Sequence, residues 1–152
     1  MMARIAERAE SQFNHLAHFA AADVFGKDVE IRHTEAVAQA AVQLAISLRA
    51  KAIVCTSTSG KTPQLVAKFR PPCPILCATW SAEVQRQLAA TWGVETILQP
   101  CEGSSHEVIH NALAMFRQSR RLKAHDLVIV TAGVPIGIAG KTNLVQVELV
   151  PE

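Results

Sequence analysis

"AIVCTSTSGKTPQLVAKF", residues 52–69, moves from an apolar run through a hydroxyl-rich turn into an amphipathic stretch. Four apolar residues with no polar partner on either side suit a strand buried on both faces. "STSGKT", residues 57–62, lacks that pattern and ends in Gly60, Lys61 and Thr62. A strand, a short polar turn and a helix form the unit from which parallel sheets are built, and the helix N-terminus is a place where anions bind. The letters Gly-Lys-Thr also close a nucleotide-binding P-loop, but that motif requires a glycine five residues before the Gly-Lys pair. Cys55 stands there, inside the strand, so the turn is too short to wrap a triphosphate. What the turn offers is the hydroxyls of Ser57, Thr58, Ser59 and Thr62, the charge of Lys61 and the N–H groups of a helix start. The plainer reading is a simple connection, capped by Ser59 or Thr62, with Pro63 at the first helical position.

The same alternation continues along the chain. Strands are predicted at Ala52–Thr56, Ile75–Thr79, Val94–Leu98, Leu127–Ala132 and Leu144–Val150. Helices are predicted at 63–69, 82–91 and 105–121, the last opened by a Ser104–Glu107 capping box and closed by Arg117, Arg120, Arg121 and Lys123. Upstream, residues 3–14 carry a stripe of Ile5, Ala9 and Phe13, and 15–33 read as a mixed segment with a loop around Gly26. Thr34 is placed to cap a helix whose apolar face is Val37, Ala40, Ala41, Leu44, Ala45 and Leu48. The expectation is one domain over 1–152, with a helix and connection at 1–33 and an α/β sheet at 34–152. Its architecture is a three-layer sandwich around a five-stranded, mostly parallel sheet.

Right-handed crossovers carry the first three strands in one direction. If the fourth then adds beside the first, the order is 3-2-1-4-5. The first four strands are expected to be buried on both faces. "LVQVELV", residues 144–150, alternates, and suits an antiparallel edge strand. Ligands of such sheets bind at the strand C-termini where the order reverses. That switch point joins loop 57–62 to loop 133–143, "GVPIGIAGKTN", with its glycines and Lys141, Thr142 and Asn143.

Composition bounds the function classes. The 152 residues are 49% hydrophobic and 18% charged, a globular balance, and the net charge of +2 offers no electrostatic footprint for nucleic acid or an anionic membrane. No apolar run reaches membrane-spanning length, and "MMARIAERAE" lacks the apolar centre of a signal peptide, so a cytoplasmic chain is expected. The four cysteines form no C-x-x-C pair; Cys55 and Cys77 fall in strands, Cys73 and Cys101 beside prolines, and all four are expected as free thiols.

Two further stretches look functional. "HEVIH", residues 106–110, matches the zinc-hydrolase pattern letter for letter. Glu107 is already explained as a capping residue, no extension supplies a third histidine, and a third ligand would have to come from a residue such as Glu148. No metal is expected. Trp80 and Trp92 could stack a base, but without a basic track beside them core packing or a subunit contact is expected.

Taken together, the stretches resemble one family. "MARIAERAE", "AIVCTSTSGKTPQLVAKFRPPCPILCAT" and "LKAHDLVIVTAGVPIGIAGKTNLVQVELV" are similar, in order, to the C-terminal domain of pyruvate kinase of the bacterial type, weakest over 98–107. The resemblance implies an α/β regulatory domain that binds a phosphorylated activator and forms one subunit interface. Phosphate transfer from phosphoenolpyruvate to ADP, with magnesium and usually potassium, belongs to a barrel domain that these stretches do not match. No cofactor is implied for this chain, and the isolated chain is expected to be inactive. By position, Ser57, Thr58, Ser59, Gly60, Lys61 and Thr62 match the activator-phosphate loop, with Lys61 in place of a residue that is often neutral. Gly133, Pro135, Gly137, Ala139, Gly140 and Lys141 match the effector loop over the sugar. Members that take fructose 1,6-bisphosphate often hold its second phosphate with an arginine in the 105–121 helix and a tryptophan before it. Here the matching position lies near Asn111 and no tryptophan precedes the helix. That departure favours a monophosphate such as AMP, ribose 5-phosphate or glucose 6-phosphate. The implied partners are this effector, the barrel domain of the parent enzyme and a second copy through strand 144–150. The alternative is a stand-alone protein of the same fold, a small phosphatase or transferase.

Overall fold

The computed structural model describes residues 2–21, 29–138 and 141–152. Three helices come first: α1 (Met2–Ser11), α2 (His15–Ala21) and α3 (Val29–Leu48). The sheet region then alternates β1 (Ala52–Thr56), α4 (Lys61–Lys68), β2 (Ile75–Thr79), α5 (Ala82–Leu88), β3 (Val94–Leu98), α6 (Ser105–Gln118), β4 (Leu127–Ala132) and β5 (Leu144–Leu149). The strand order is β3-β2-β1-β4-β5, parallel except for the β4–β5 pair.

Period-two alternation along each strand sends side chains to two cores. Ile53, Cys55, Ile75, Cys77 and Ile129 face α3, α4 and α5, where they meet Ala41, Val42, Val66, Phe69 and Leu88. Ala52, Val54, Leu76, Val128 and Val130 face α6, where Ile109, Ala112, Leu113 and Phe116 close the other layer. The result is a helix–sheet–helix sandwich with β1 at its centre.

Three expectations change. Thr34 does not cap α3; the helix begins at Val29, and Thr34 is a buried interior residue, because nothing in 29–33 breaks a helix. Part of the mixed segment 15–33 is helical, as α2, while the expected loop around Gly26 lies outside the described residues. β3 is only half-buried, unlike β1 and β2, because it forms the far edge of the sheet and has a strand on one side alone. Helix ends move by a few residues: α1 stops at Ser11, α5 at Leu88 and α6 at Gln118, and β5 ends one residue early, at Leu149.

Candidate functional site

β1 delivers its last residue, Thr56, to the C-terminal edge of the sheet between β2 and β4. Thr56 is 3% exposed, and its Oγ1 has no hydrogen-bond partner. The chain then turns sharply. The Ser57 N–H continues the sheet by donating to the Ala78 carbonyl at 3.0 Å, and the Ser57 Oγ accepts from the Gly60 N–H at 3.0 Å. Gly60 is the N-cap of α4, at φ 76°, with no side-chain cap. Neither Ser59 nor Thr62 caps the helix, and Pro63 is its third residue, not its first. Thr62 is the second residue of the helix, and its hydroxyl pairs instead with the Thr142 hydroxyl at 2.7 Å, in the buried seam between the two loops. Pro63 is harmless there, since a first-turn N–H has no acceptor within the helix.

This arrangement leaves donors open. Among the described residues, the N–H groups of Thr58, Ser59, Lys61 and Thr62 have no protein acceptor. Ser59 and Lys61 are exposed and Thr58 half-buried, and Lys61 has no acidic partner among the described residues. Open N–H groups, a helix dipole and a cation together attract an anion.

Residues of 133–138 together with Lys141 form the opposite wall. Its base is pinned by Asn143: the Val134 N–H donates to Asn143 Oδ1, and Asn143 Nδ2 donates to the Val134 carbonyl, both at 2.7 Å. The Val134–Pro135 peptide is cis. Gly133 faces the Lys141 carbonyl so closely that a Cβ would lie 2.1 Å from it, so only glycine lets the loop ends meet there. The two walls face each other across a narrow, open cleft, with Thr56, Ser57, Thr58, Ser59, Lys61 and Thr62 on one side and Gly133, Gly137 and Lys141 on the other.

Most of the sequence-predicted site therefore converges. Gly60 shapes the turn without lining the cleft, Pro135 is exposed and does not line it, and Ala139 and Gly140 lie outside the described residues. Sequence reasoning missed Thr56, Trp80, Ile136 and Ile138, which also line the cleft. Trp80 is not a core residue: it is half-buried at the cleft, directly after β2. Its place beside the switch point was the signal available in the strand order.

The other candidates separate from this cleft. Glu107 Oε2 accepts from the Ser104 N–H at 2.6 Å and the Glu107 N–H donates to Ser104 Oγ at 3.3 Å, a complete capping box. The Ser104 backbone bond holds the Glu107 carboxyl below the ordinary carboxylate range. His106 and His110 stack at 6.4 Å, and no third His, Cys, Asp or Glu among the described residues joins them in a metal-holding group. Trp92 donates its indole N–H to Glu10 Oε1 at 3.1 Å, far along the chain from the cleft. All four thiols are free; burial raises Cys55 well above its usual value and pushes Cys77 up to about 12 and Cys73 to about 11.

Comparison with known proteins agrees with the fold. A family model described as the pyruvate kinase alpha/beta domain matches residues 35–148. The pyruvate kinase of Geobacillus stearothermophilus is 40% identical over 126 residues, 83% of this chain and 22% of that enzyme. That of Clostridium acetobutylicum is 33% identical over 150 residues, 98% of this chain and 31% of the enzyme. A crystal structure of a pyruvate kinase from Cryptosporidium parvum superposes with a TM-score of 0.85 at 30% identity, covering 99% of this chain and 29% of that one. The chain thus spans about a fifth to a third of the length of these relatives.

Proposed function

The chain belongs to the pyruvate kinase alpha/beta-domain family, and on that premise we propose that it is a regulatory domain whose cleft binds a phosphorylated effector. The observation that carries this reading is the row of open N–H donors at Thr58, Ser59, Lys61 and Thr62, facing the loop that carries Lys141. A phosphate monoester would accept from these groups at the start of α4, with the hydroxyls of Thr58 and Ser59 and the Lys61 ammonium completing its shell. The buried Thr56 hydroxyl, without a protein partner, offers one more contact at the floor of the cleft. Loop 133–141, tied down through Thr142 and Asn143, would cover the rest of the effector.

Binding is favoured over catalysis. No carboxylate or histidine lines the cleft among the described residues, so neither a general base nor a metal ligand faces a bound phosphate. That argues against the phosphatase or transferase alternative and for a chain that is inactive alone. Catalysis would lie with a barrel domain, in the cytoplasm. β5 would pair with a second copy: its Val147 and Leu149 are 45% and 58% exposed on an unpaired sheet edge.

Calorimetric titration with AMP, ribose 5-phosphate and glucose 6-phosphate tests the site. Each charge-assisted hydrogen bond is worth about 1.5–3 kcal/mol, and about 1.4 kcal/mol is one decade of affinity. The Thr58→Ala/Ser59→Ala double variant should therefore bind at least tenfold more weakly while keeping its fold. Unchanged affinity would show that the phosphate lies elsewhere.

A further inference from the structure

A groove between α6 and β5 shares no lining residue with the cleft described above. Its polar side chains include His106 and His110 on α6 and Gln146 and Glu148 on β5. The helix sets the two imidazoles one turn apart on one face, because residues i and i+4 lie above one another. Their ring centroids are 6.4 Å apart and the ring planes only 11° from parallel. Both side chains are exposed, and among the described residues neither ring has a hydrogen-bond partner. His15, His18 and His125 differ, since a carbonyl or a carboxylate holds each of those rings. Across the groove, Glu148 is half-buried and has no cationic partner among the described residues. Its Oε1 accepts from Gln146 Nε2. A carboxylate drawn partly out of water needs a cation or donors to offset the loss of hydration. The groove is not a hydrolase centre. Glu107, the base that such a motif requires, is committed to Ser104, and no third ligand meets the rings as the side chains stand. What the groove holds is a two-histidine chelate at one turn's spacing, with an unpaired carboxylate on the facing strand.

We propose that His106, His110 and Glu148 form a binding site for a divalent late first-row transition metal, shared between α6 and β5. The two rings, free of hydrogen bonds, turn about their side-chain bonds and bring one nitrogen each to about 2.0–2.1 Å from the ion. Glu148 supplies the third donor and offsets the ion's charge, and water fills the remaining positions. Imidazole and carboxylate donors on an open site favour copper(II) over nickel(II) and zinc(II). The ionised Glu107 beside His106 lessens the repulsion that a cation meets at a helix start. The ion ties the first turns of α6 to the edge strand, so binding stabilises the folded chain by mass action.

The full chain, prepared without a histidine tag and stripped with a chelator, tests this with copper(II). In a calorimetric titration one equivalent should bind first. The paramagnetic resonance spectrum at that loading should show splitting from two imidazole nitrogens. His106→Ala and His110→Ala should each weaken the site about a hundredfold, because a second ligand held one turn away binds as an intramolecular group. Glu148→Gln keeps the shape and removes the charge, and should cost about tenfold. His125→Ala, outside the groove, should leave the affinity within about twofold. Unchanged affinity in His110→Ala would place the ion elsewhere and overturn the proposal. Unchanged affinity in Glu148→Gln would also overturn it, since β5 would then take no part. The spectrum needs no substitution, so a single coordinated nitrogen decides against the site even if a variant fails to fold.

Discussion

The two ends of α4, a helix of eight residues, are built in opposite ways. At its start the backbone takes a left-handed turn at Gly60, no side chain caps the helix, and the N–H groups of Thr58, Ser59, Lys61 and Thr62 lack acceptors among the described residues. At its end the groups are taken. The Phe69 N–H donates to the Val66 carbonyl at 3.1 Å, and the Arg70 N–H to that of Ala67 at 3.0 Å. The ring N–H groups of His18 and His15 donate to the carbonyls of Lys68 (3.1 Å) and Arg70 (2.7 Å). Phe69, 0% exposed, meets Phe19 at 5.8 Å, and the Arg70 guanidinium lies over the rings of Phe13 and Trp92 at 5.5 and 5.1 Å. Lys68 also reaches Glu35 on α3 at 3.2 Å. One end anchors the helix to α2, α3 and the sheet. The other keeps its polar groups available in a position that the anchor fixes. Pre-organised donors bind an anion without first having to be ordered.

The comparison breaks first, and most visibly, at Phe69. Truncating a fully buried phenylalanine typically costs about 3–5 kcal/mol. Phe69→Ala should lower the urea-unfolding free energy by an amount in that range. Calorimetry below the transition should still find effector affinity within about twofold of the unmodified chain. A stability loss near zero would mean that this end is no anchor.

Next is the seam between the loops. Thr62→Val leaves the Thr142 hydroxyl, 4% exposed, without its partner; a stranded buried polar group costs about 1–3 kcal/mol. Thr62→Val with Thr142→Val should recover much of that loss, because replacing both partners by apolar groups of similar shape is nearly neutral. A double-mutant cycle by chemical denaturation measures the coupling; strict additivity would show that the hydroxyl pair does not join the walls.

Gly60→Ala comes third. A residue with a Cβ in the left-handed region costs about 1–2 kcal/mol, and this Cβ would sit 3.1 Å from Val84 Cγ1 and 3.4 Å from Leu88. The turn should shift, and effector affinity should fall more than the modest stability loss alone would suggest. Equal effector affinity in Gly60→Ala would show that the turn's shape does not matter to the site.

What the sequence disclosed follows the same division. β1, β2, β3 and β4 were legible to the residue, because short, mostly apolar runs between polar turns and helices, with only Glu95 and Thr96 intervening in β3, have few other readings. The convergence of loops 57–62 and 133–143 was legible on the condition that β4 adds beside β1, which is the order observed. Features set by contacts between distant segments were not. Thr34 carries the letter of a cap but sits inside α3, the N-cap of α4 is Gly60, and the Thr62 hydroxyl pairs with one 80 residues away. Trp80 and Thr56 join the cleft only because β2, β1 and β4 lie side by side. The clasp of His15, His18 and Trp92 around the end of α4 has no local signature at all.

The smallest effect concerns that clasp. Glu10, His15, Cys73 and Trp92 line one shallow groove, closed by the Pro71–Pro72 and Pro74 backbone. Cys73 is half-buried, and burial pushes its thiol up to about 11, against the partial pull of the Cys73 and Ile53 backbone N–H groups. At pH 8 it is therefore almost wholly protonated and a poor nucleophile. Cys101 is exposed, and Cys55 and Cys77 are sealed in the sheet, so Cys101 should be the first thiol alkylated. His15→Ala removes one hydrogen bond at a partly exposed place and should cost about 0.5–1.5 kcal/mol. It should still quicken Cys73 alkylation several-fold, read by mass spectrometry of the labelled peptide, because a side chain that lines the groove beside Cys73 is gone. A saturating effector at the other end of α4 should leave the Cys73 rate unchanged if the anchor stays rigid. An effector-dependent rate would show that α4 carries the binding event from its open end to its clasped one, and the division between the two ends would fail.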